Sequence, residues 1–427
     1  MSEFSCIETA AITVGVVMEN PKIDFKIVLG DREKDVPANS DTLFGIGSTT
    51  KAMTAIIANK VLKANNLTWD TPIVQFYESF KLPGDDRTKR VTFKDLYAHE
   101  TCVSRSDFWW ASGPEKFDIE AMMSNLQFLE STWDELIKEH ILDPLEMTAT
   151  KTSFKAALET RNVPRGFEPF EGEFHPLQVE ADGIIDLVGQ AGSIHSTAGD
   201  MNKYLRHIIE NNGSLYADLF WDQETVDIGR YFGVTEKITR KTFPAQSEMS
   251  DYTITRAVNQ LITWFIQDMI MDKTPWITAE NICTFPAPWR NATTPDRSDP
   301  DWGDYETDTS PKLKPWAGTY SNKIFGDVAV SFVEDEGLVL KYQRVYCTLK
   351  RKKDSENEFR CHANAPSLPE NQSLVQDARI LNARFKDGNL HSDMMERNED
   401  YLFSSGNTSK LYSFYLLILP FLLANLP

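Results

Sequence analysis

The sequence predicts an α/β (α+β) protein with two folding units, a first unit in which helices predominate and a small all-β C-terminal unit. The chain has 427 residues, of which 41% are hydrophobic and 25% charged, a globular composition that exceeds one typical domain. A segment rich in proline and acidic residues, 285–311, divides it and has the composition of a linker. The predicted limits are 1–284 for the first unit, 312–403 for the second and 404–427 for an apolar tail.

Hydrophobic periodicity differs between the two units. In the first unit, two segments carry apolar residues at the spacing of one helix face. The first segment has Met53, Ile56, Ile57 and Val61, with Lys60 as a charged residue on the same face, and the second has Trp133, Leu136, Ile137 and Ile141. In the second unit apolar residues alternate, which predicts the strands of a small antiparallel sheet or barrel. The alternating residues are Val328, Val330, Phe332, then Leu338, Leu340, Tyr342, then Leu381, Ala383, Phe385.

The acidic charge argues against nucleic acid as a partner. The formal net charge is −19, and such a surface repels phosphate backbones and anionic lipid. One basic cluster, residues 350–353 (Lys-Arg-Lys-Lys), stands out. We predict a solvated turn between two strands there, rather than a targeting or anion-binding signal, because four residues make a weak motif.

The cysteines suggest a reducing compartment. They are Cys6, Cys102, Cys283, Cys347 and Cys361. An odd number of scattered cysteines without a C-x-x-C pair predicts neither a disulfide framework nor a zinc site. A cytoplasmic localisation follows, because Glu3 and Glu8 stand where a secretory signal would have a basic region.

The C-terminal tail leaves three alternatives open. Residues 411–427 are almost wholly apolar, but they number 17 and include Pro420, whereas a membrane-spanning helix needs about 20. The tail would be a membrane tail anchor, a removable lipid-anchor signal or the product of a wrongly predicted gene end. A membrane is therefore expected as a partner only through this tail.

One S-x-x-K element is present, Ser48-Thr49-Thr50-Lys51. Ser48 precedes the helical pattern, which places it in a first helical turn, where unpaired N–H groups and the helix dipole favour an oxyanion. Residues three apart share a helix face, so Lys51 can bring its amine to the Ser48 oxygen and, when neutral, accept its proton. Ser48 is the candidate nucleophile and Lys51 its base. The non-catalytic alternative is a serine that caps the helix, followed by a surface lysine, because S-x-x-K arises readily by chance.

The surroundings of the element favour the catalytic interpretation. Residues 41–55 resemble the nucleophile segment of the serine β-lactamase and penicillin-binding protein family, which includes class C β-lactamases, D,D-peptidases, esterases and transesterases. Four later segments are similar in the same order: 67–72, 91–101, 143–150 and 191–200. The resemblance implies a β-lactamase/transpeptidase-like antiparallel sheet with a helical region. The post-linker segment resembles the small, lipocalin-like β domain that is appended to many fungal and microbial members.

The second motif that the resemblance implies, Tyr-x-Asn or Ser-x-Asn, is not found where the family has it. The interval between His99 and Pro144 contains no tyrosine. Met123-Ser124-Asn125 is a degenerate candidate, but a deletion around residues 128–131 is the preferred explanation. The literal Tyr320-Ser321-Asn322 belongs to the second unit, where we predict an ordinary strand end.

The third motif, Lys-Thr-Gly or His-x-Gly, is absent from the sequence. Lys151-Thr152-Ser153 and Lys273-Thr274-Pro275 are similar triplets that we predict to be surface residues. Residues 231–251 are short and polar where the family has sheet strands, so parts of the first domain would be deleted. Cys102 and Ser193 also replace glycines that the family has.

Two functions therefore remain open. One is a serine hydrolase or acyl transferase that acts on a small-molecule ester, amide or lactam through an acyl-Ser48 intermediate, with impaired turnover. The other is an inactive relative, or a truncated gene model, that only binds acyl ligands. The seven histidines are dispersed, so neither a metal nor another cofactor is expected. The G-x-S-x-G elbow of α/β-hydrolases is not present at Ser48, because Ile46 and Thr50 occupy its glycine positions.

Overall fold

The protein is described here from a computed structural model. The described residues are 11–18, 22–33, 35–76, 80, 82, 85–98, 100–101, 132–165, 167–170, 173–176, 183–210, 265–266, 268–269, 272–276, 278, 303–322, 326–343, 345–362, 380–393 and 401–405.

The first unit combines strands and helices, as the α+β prediction requires. Its strands are β1 (Ala11–Met18), β2 (Ile23–Glu33), β3 (Val36–Pro37), β4 (Phe44–Gly45), β5 (Phe167–Phe170), β6 (Glu173–Pro176) and β7 (His195–Ser196). Its helices are α1 (Thr50–Ala64), α2 (Ile73–Phe76), α3 (Asp85–Arg90), α4 (Phe93–Tyr97), α5 (Trp133–Ile137), α6 (Phe154–Glu159), α7 (Gly189–Gly192) and α8 (Ala198–Glu210).

An antiparallel sheet of β1, β2 and β3 packs against α8. Strand β1 pairs with β2 from Ala11↔Gly30 to Met18↔Ile23, and β2 pairs with β3. Asn202 of α8 donates hydrogen bonds to the Asp24 carboxylate (2.7 Å) and the Phe25 carbonyl (3.1 Å) of β2. A side chain at Gly15 of β1 would overlap Asn202, so glycine allows the close approach of strand and helix.

Helix α1 forms the centre of the first core. All the apolar residues of its predicted face are buried, as are those of the second predicted segment. They pack in one cluster with residues of α2, α4 and α8, and burial of this kind, rather than helix propensity, stabilises short helices. The second segment begins as α5 and continues as a π-helical turn at Lys138–Leu142. The helical predictions for both segments are confirmed.

The second unit is a closed antiparallel barrel. Its strands are β9 (Gly318–Asn322), β10 (Gly326–Val333), β11 (Gly337–Tyr342), β12 (Val345–Lys352), β13 (Glu358–His362), β14 (Ile380–Lys386), β15 (Asn389–Ser392) and β16 (Tyr401–Ser405). Each strand pairs with the next, and β16 pairs back with β9. An eight-stranded barrel is narrow enough for side chains to fill it. The alternating residues predicted from the sequence lie inside, except Phe332, which is only partly buried.

The end of the predicted linker is attached to this barrel. A short strand, β8 (Tyr305–Glu306), pairs with Arg351 and Lys352 of β12. The Arg351 guanidinium lies 2.6 Å from both the Glu306 and the Asp308 carboxylates. Although partial burial opposes the shift, the hydrogen bond from Arg351 holds the pKa of Asp308 below its ordinary value. Barrel pairing therefore begins before residue 312.

Three of the four residues of the basic cluster are strand and not turn, which corrects the prediction for them, whereas Lys353 lies in the turn that follows. Residues 350–352 end β12, and the side-chain partners of Arg351 and Lys352 are acidic or carbonyl groups. Lys352 pairs with Glu358 at 3.1 Å, and Lys353 Nζ donates to the Gly303 carbonyl at 2.7 Å. The linker is acidic and this strand end is basic, so opposite charges neutralise each other there.

Two cysteines form a disulfide, contrary to the prediction from their spacing. Cys347 of β12 and Cys361 of β13 are joined, with their Cα atoms 5.8 Å apart. Both are buried in the barrel core. The spacing of the cysteines does not predict this bond, because 14 residues separate them. The pairing of the neighbouring strands β12 and β13 brings them together. Disulfides are typical of oxidising environments, which does not agree with the expected reducing compartment.

Among the described residues, none of the helices has the length and apolarity that a membrane crossing requires. The apolar tail, 411–427, lies outside the described residues.

Candidate active site

Ser48 is exposed at a tight turn that leads into α1. Strand β4 pairs with β7, and the Ile46 N–H donates to the Ile194 carbonyl at 2.9 Å, which anchors the approach to the turn. Gly47 has a φ of +49°, a conformation that glycine adopts without steric cost. A 3-10 turn then spans Gly47–Thr49 and continues directly as α1. Ser48 thus lies at the helix N-terminus, where developing negative charge is favoured.

Lys51 contacts Ser48, as the three-residue spacing predicts. Its Nζ atom lies 3.0 Å from Ser48 Oγ. The same Nζ donates to the Ala191 carbonyl of α7 at 2.8 Å. Lys51 is half-buried, whereas Ser48 is exposed. A lysine held between a hydroxyl and a carbonyl can exchange a proton with the hydroxyl, whereas a surface lysine after a serine cap would have no such partner.

The carbonyls of α7 accept hydrogen bonds from several side chains. Thr54 Oγ1 of α1 donates to the Gln190 carbonyl at 2.7 Å. The Ser193 hydroxyl, which has one proton to donate, lies within hydrogen-bond distance of two carbonyls, those of Gly189 at 2.9 Å and of Thr152. The serine that replaces a family glycine here therefore fastens α7 to the segment after Thr150.

A second buried donor reaches Thr54. The indole N–H of Trp133, on α5, donates to Thr54 Oγ1 at 3.3 Å. Both side chains are buried. Periodicity identified Trp133 as a core residue, but it gave no signal for this contact. Thr54 was not singled out from the sequence either.

His195 lies beside the turn that carries Ser48. It is buried on β7, and its Nδ1 is 2.8 Å from the Ser193 carbonyl. Its ring packs against Phe154 with centroids 5.3 Å apart. A Cβ at Gly45 would meet the imidazole at 3.1 Å. Burial lowers the pKa of His195, although the Ser193 hydrogen bond and the Asp186 charge oppose the shift. Sequence analysis did not identify this histidine.

The Tyr-x-Asn of the second unit has structural partners. Tyr320 Oη donates to the Trp316 carbonyl at 2.8 Å, and Asn322 donates to the Leu402 carbonyl at 2.9 Å. Its three residues end β9 of the barrel, as predicted. Met123-Ser124-Asn125, the gap around 128–131, Cys102 and residues 231–251 lie outside the described residues.

The two Lys-Thr triplets differ in their surroundings. Lys273 and Thr274 are exposed, as predicted. Lys151 is half-buried, and its backbone forms an antiparallel bridge with His195. Strand β7 thus lies between this triplet and β4.

No group of histidine, cysteine or acidic residues in the described part of the chain is arranged to hold a metal ion. The contact between Lys51 Nζ and Ser48 Oγ supports the chemistry of a hydroxyl and an amine.

Comparison with known proteins agrees with the resemblance of the motifs. A family model described as "Beta-lactamase" matches residues 14–226. The match includes Ser48, Lys51, Thr54, Trp133 and Ala191.

Two curated fungal proteins are similar to the chain. An unguisins hydrolase, ungD, of Aspergillus violaceofuscus is 23% identical over 241 residues, which cover 48% of this chain and 42% of that protein. An unguisins hydrolase, ungD′, of Aspergillus campestris is 36% identical over 73 residues, 16% of this chain and 14% of that protein. The matched segment spans less than half the length of these relatives.

Two solved structures are also similar. The octameric penicillin-binding protein homologue from Pyrococcus abyssi is 16% identical, with a TM-score of 0.47 and coverage of 94% of this chain and 98% of that chain. FmtA from Staphylococcus aureus is 17% identical, with a TM-score of 0.35 and coverage of 48% and 63%.

Proposed function

We propose that the chain, whose residues 14–226 match the Beta-lactamase family model, is a member of the serine β-lactamase and penicillin-binding protein family and acts on a small-molecule ester, amide or lactam through an acyl-Ser48 intermediate. The observation that carries this proposal is the position of Lys51 Nζ, 3.0 Å from Ser48 Oγ and 2.8 Å from the Ala191 carbonyl. A hydroxyl within hydrogen-bond reach of a lysine amine is the arrangement that nucleophilic catalysis requires.

The proposed acylation begins with proton transfer from Ser48 Oγ to the neutral amine of Lys51. The Oγ atom then forms a bond to the substrate carbonyl carbon, and the carbonyl oxygen becomes negatively charged. The N-terminus of α1 favours that charge. The tetrahedral intermediate collapses, the bond to the leaving nitrogen or oxygen breaks, and the proton on Lys51 passes to the leaving group. Water or another acceptor then releases the acyl group from Ser48.

Release of the acyl group is the step that we propose to be impaired. The family has a tyrosine or serine of the Tyr-x-Asn motif for proton transfer, and the interval between His99 and Pro144 has no tyrosine. Met123 has no proton to give, and a lone hydroxyl such as that of Ser124 needs its own partner. General acid–base assistance contributes about 10² to 10⁴-fold in rate. The acyl-enzyme would therefore form and persist.

Covalent labelling tests the nucleophile. A fluorophosphonate should add one covalent mass to the wild-type protein and none to Ser48→Ala. Ser40→Ala is the matched control, because Ser40 is an exposed serine of the same unit, and it should label like the wild type. Equal labelling of Ser48→Ala and the wild type would refute the assignment of Ser48.

A time course of intact mass tests the impaired turnover. With a small ester or β-lactam, we expect one burst of product equal to the amount of protein, followed by a slow steady phase with a lingering acyl adduct. Because the Aspergillus relatives are named as unguisins hydrolases, unguisins are a further substrate to include. Sustained turnover without an adduct would contradict the impairment.

The alternative is a protein that only binds acyl ligands. The absence of a literal Tyr-x-Asn from the first unit favours this alternative. It predicts that the wild type binds a β-lactam reversibly and that no mass is added to Ser48.

A further inference from the structure

Helix α7 carries the carbonyl that holds Lys51, but it is too short to fix its own position. It spans four residues, Gly189–Gly192, and isolated helices of this length are not stable. The final carbonyls of any helix also lack partners within the helix. The position of the Ala191 carbonyl must therefore be set by contacts from other elements.

Two successive carbonyls of α7 receive such contacts. Thr54 donates to Gln190 at 2.7 Å, and Lys51 donates to Ala191 at 2.8 Å. Thr54 and Lys51 both belong to α1. The bond from Thr54 therefore fixes the peptide unit that precedes the one held by Lys51.

Trp133 directs the hydroxyl of Thr54. A threonine hydroxyl has one proton to donate and can accept others. The Thr54 oxygen has two possible acceptors, the Gln190 carbonyl at 2.7 Å and the Thr50 carbonyl of its own helix at 3.2 Å. The Trp133 indole donates to the same oxygen at 3.3 Å, which occupies a lone pair and keeps the proton for a carbonyl. The shorter contact favours Gln190.

We propose that Thr54 and Trp133 are positioning residues for Lys51, because together they hold α7 where its Ala191 carbonyl binds the amine beside Ser48. The chain of contacts runs from the Trp133 indole through the Thr54 hydroxyl to the Gln190 carbonyl, and then through the next peptide unit to Lys51. Thr54 is 0% and Trp133 is 4% exposed, so water does not replace these bonds when one is lost. The proposal rests on the proposed function of Ser48 and Lys51.

The variants are chosen to remove a hydrogen bond with little change in shape. Thr54→Val removes the hydroxyl, whereas Thr54→Ser keeps it. Trp133→Phe removes the indole N–H. The matched control is Trp69→Phe, because the Trp69 indole also donates to α1, to Asn59 at 3.1 Å, but its contact does not lead to α7.

The first readout is the pH dependence of fluorophosphonate labelling at Ser48. Thr54→Val and Trp133→Phe should label about 10-fold more slowly, because small displacements of a catalytic group have large effects. The midpoint of the pH profile should move to lower pH, because loss of the carbonyl bond disfavours the charged amine. Thr54→Ser should restore both properties, and Trp69→Phe should change neither.

The second readout does not require an active nucleophile. Lys51 should react with an amine reagent, measured by peptide mass mapping, several-fold faster in Thr54→Val than in the wild type, because its carbonyl partner has moved. If the wild type fails to label at Ser48 but this difference is observed, the proposed function is wrong and the positioning role stands. Unchanged Lys51 reactivity, or equal slowing of labelling by Trp69→Phe, would overturn the positioning role.

Discussion

Lys51 is the residue on which the proposed chemistry depends most directly. Its amine contacts Ser48 Oγ at 3.0 Å, and no other amine is placed at Ser48 Oγ in the described part of the chain. Lys51→Met keeps the length of the side chain and removes the base. Labelling of Ser48 should fall by at least about 10²-fold, the lower range of general-base contributions.

Lys63→Met is the control for this substitution, because Lys63 lies on the same helix and is exposed. It should label at the wild-type rate. Labelling that does not depend on Lys51 would show that another group accepts the proton.

Because His195 is buried, we expect the free energy of unfolding to depend on pH. Burial lowers its pKa from 6.5, so the folded protein binds this proton less readily than the unfolded chain. The stabilising contribution is present above pH 6.5 and is lost as the pH falls through the lowered pKa. The free energy of unfolding, measured by urea denaturation between pH 7.5 and pH 5, should therefore decrease towards pH 5.

His195→Asn should make this decrease smaller without abolishing it, because burial also lowers the pKa of His140. An identical acid dependence in His195→Asn and the wild type would exclude His195 as its source.

The contact between Ser48 and Lys51 could be predicted from their spacing alone, because side chains three residues apart lie on the same face of a helix. The partners on α7 and α5 were not predictable in this way. Thr54 reaches Gln190 across 136 residues and is reached by Trp133 across 79, and no local pattern encodes such contacts. His195 also depends on tertiary packing, since Gly45 and Phe154 enclose it.

Among the elements, α4 offers a direct test of helix capping. Thr92 Oγ1 accepts from the Asp95 N–H at 3.1 Å, and Asp95 Oδ2 accepts from the Thr92 N–H at 2.8 Å. Thr92→Ala removes this reciprocal cap and should reduce the free energy of unfolding by about 1 kcal/mol. The helix buries Phe93 and Tyr97 in the core, so the loss should be visible in global unfolding.

Thr92→Ser keeps the capping oxygen and should lose much less stability when both variants are compared by thermal and urea unfolding. Equal destabilisation by serine and alanine would indicate that the methyl group, and not the cap, stabilises the site.

Periodicity predicted the long elements well because burial decides them. The face of α1 and the alternating strands of the barrel both follow from residues that must leave water. The short elements differ. The 3-10 turn at Gly47–Thr49 and the four-residue α7 are held by backbone and side-chain contacts from distant segments. A hydrophobic repeat in the local sequence therefore does not predict them.

At the scale of the whole molecule, Arg351 joins the end of the linker to the barrel. Arg351→Gln would remove the contacts at 2.6 Å to Glu306 and Asp308. A glutamate-specific protease should then cleave after Glu306 several-fold faster, as measured by mass spectrometry of the fragments. High salt should accelerate cleavage of the wild type as well, because partly exposed ion pairs are screened.

Lys341→Gln is the matched control, because it removes one positive charge from an exposed position on β11. Its cleavage should resemble that of the wild type. Equal cleavage rates in Arg351→Gln and the wild type would show that strand pairing alone holds residues 303–308.

Composition predicts a linker over residues 285–311, and the last part of that segment contacts the barrel. Prolines and acidic residues describe a segment that builds no core, yet the same acidic side chains are partners for a basic strand end that lies some 45 residues later in the chain. Such pairing follows from the closed barrel and is not visible in a local window of sequence.

The Cys347–Cys361 bond gives the barrel a covalent continuity that does not depend on the peptide chain between the two cysteines. The turn that connects β12 to β13 includes Lys353 and Asp354, which are exposed, and exposed turns are preferred sites of nicking. A tryptic nick after Lys353 would leave one cysteine on each fragment. The two fragments would therefore migrate as one species on a non-reducing gel and separate only after the sulfur bridge is reduced.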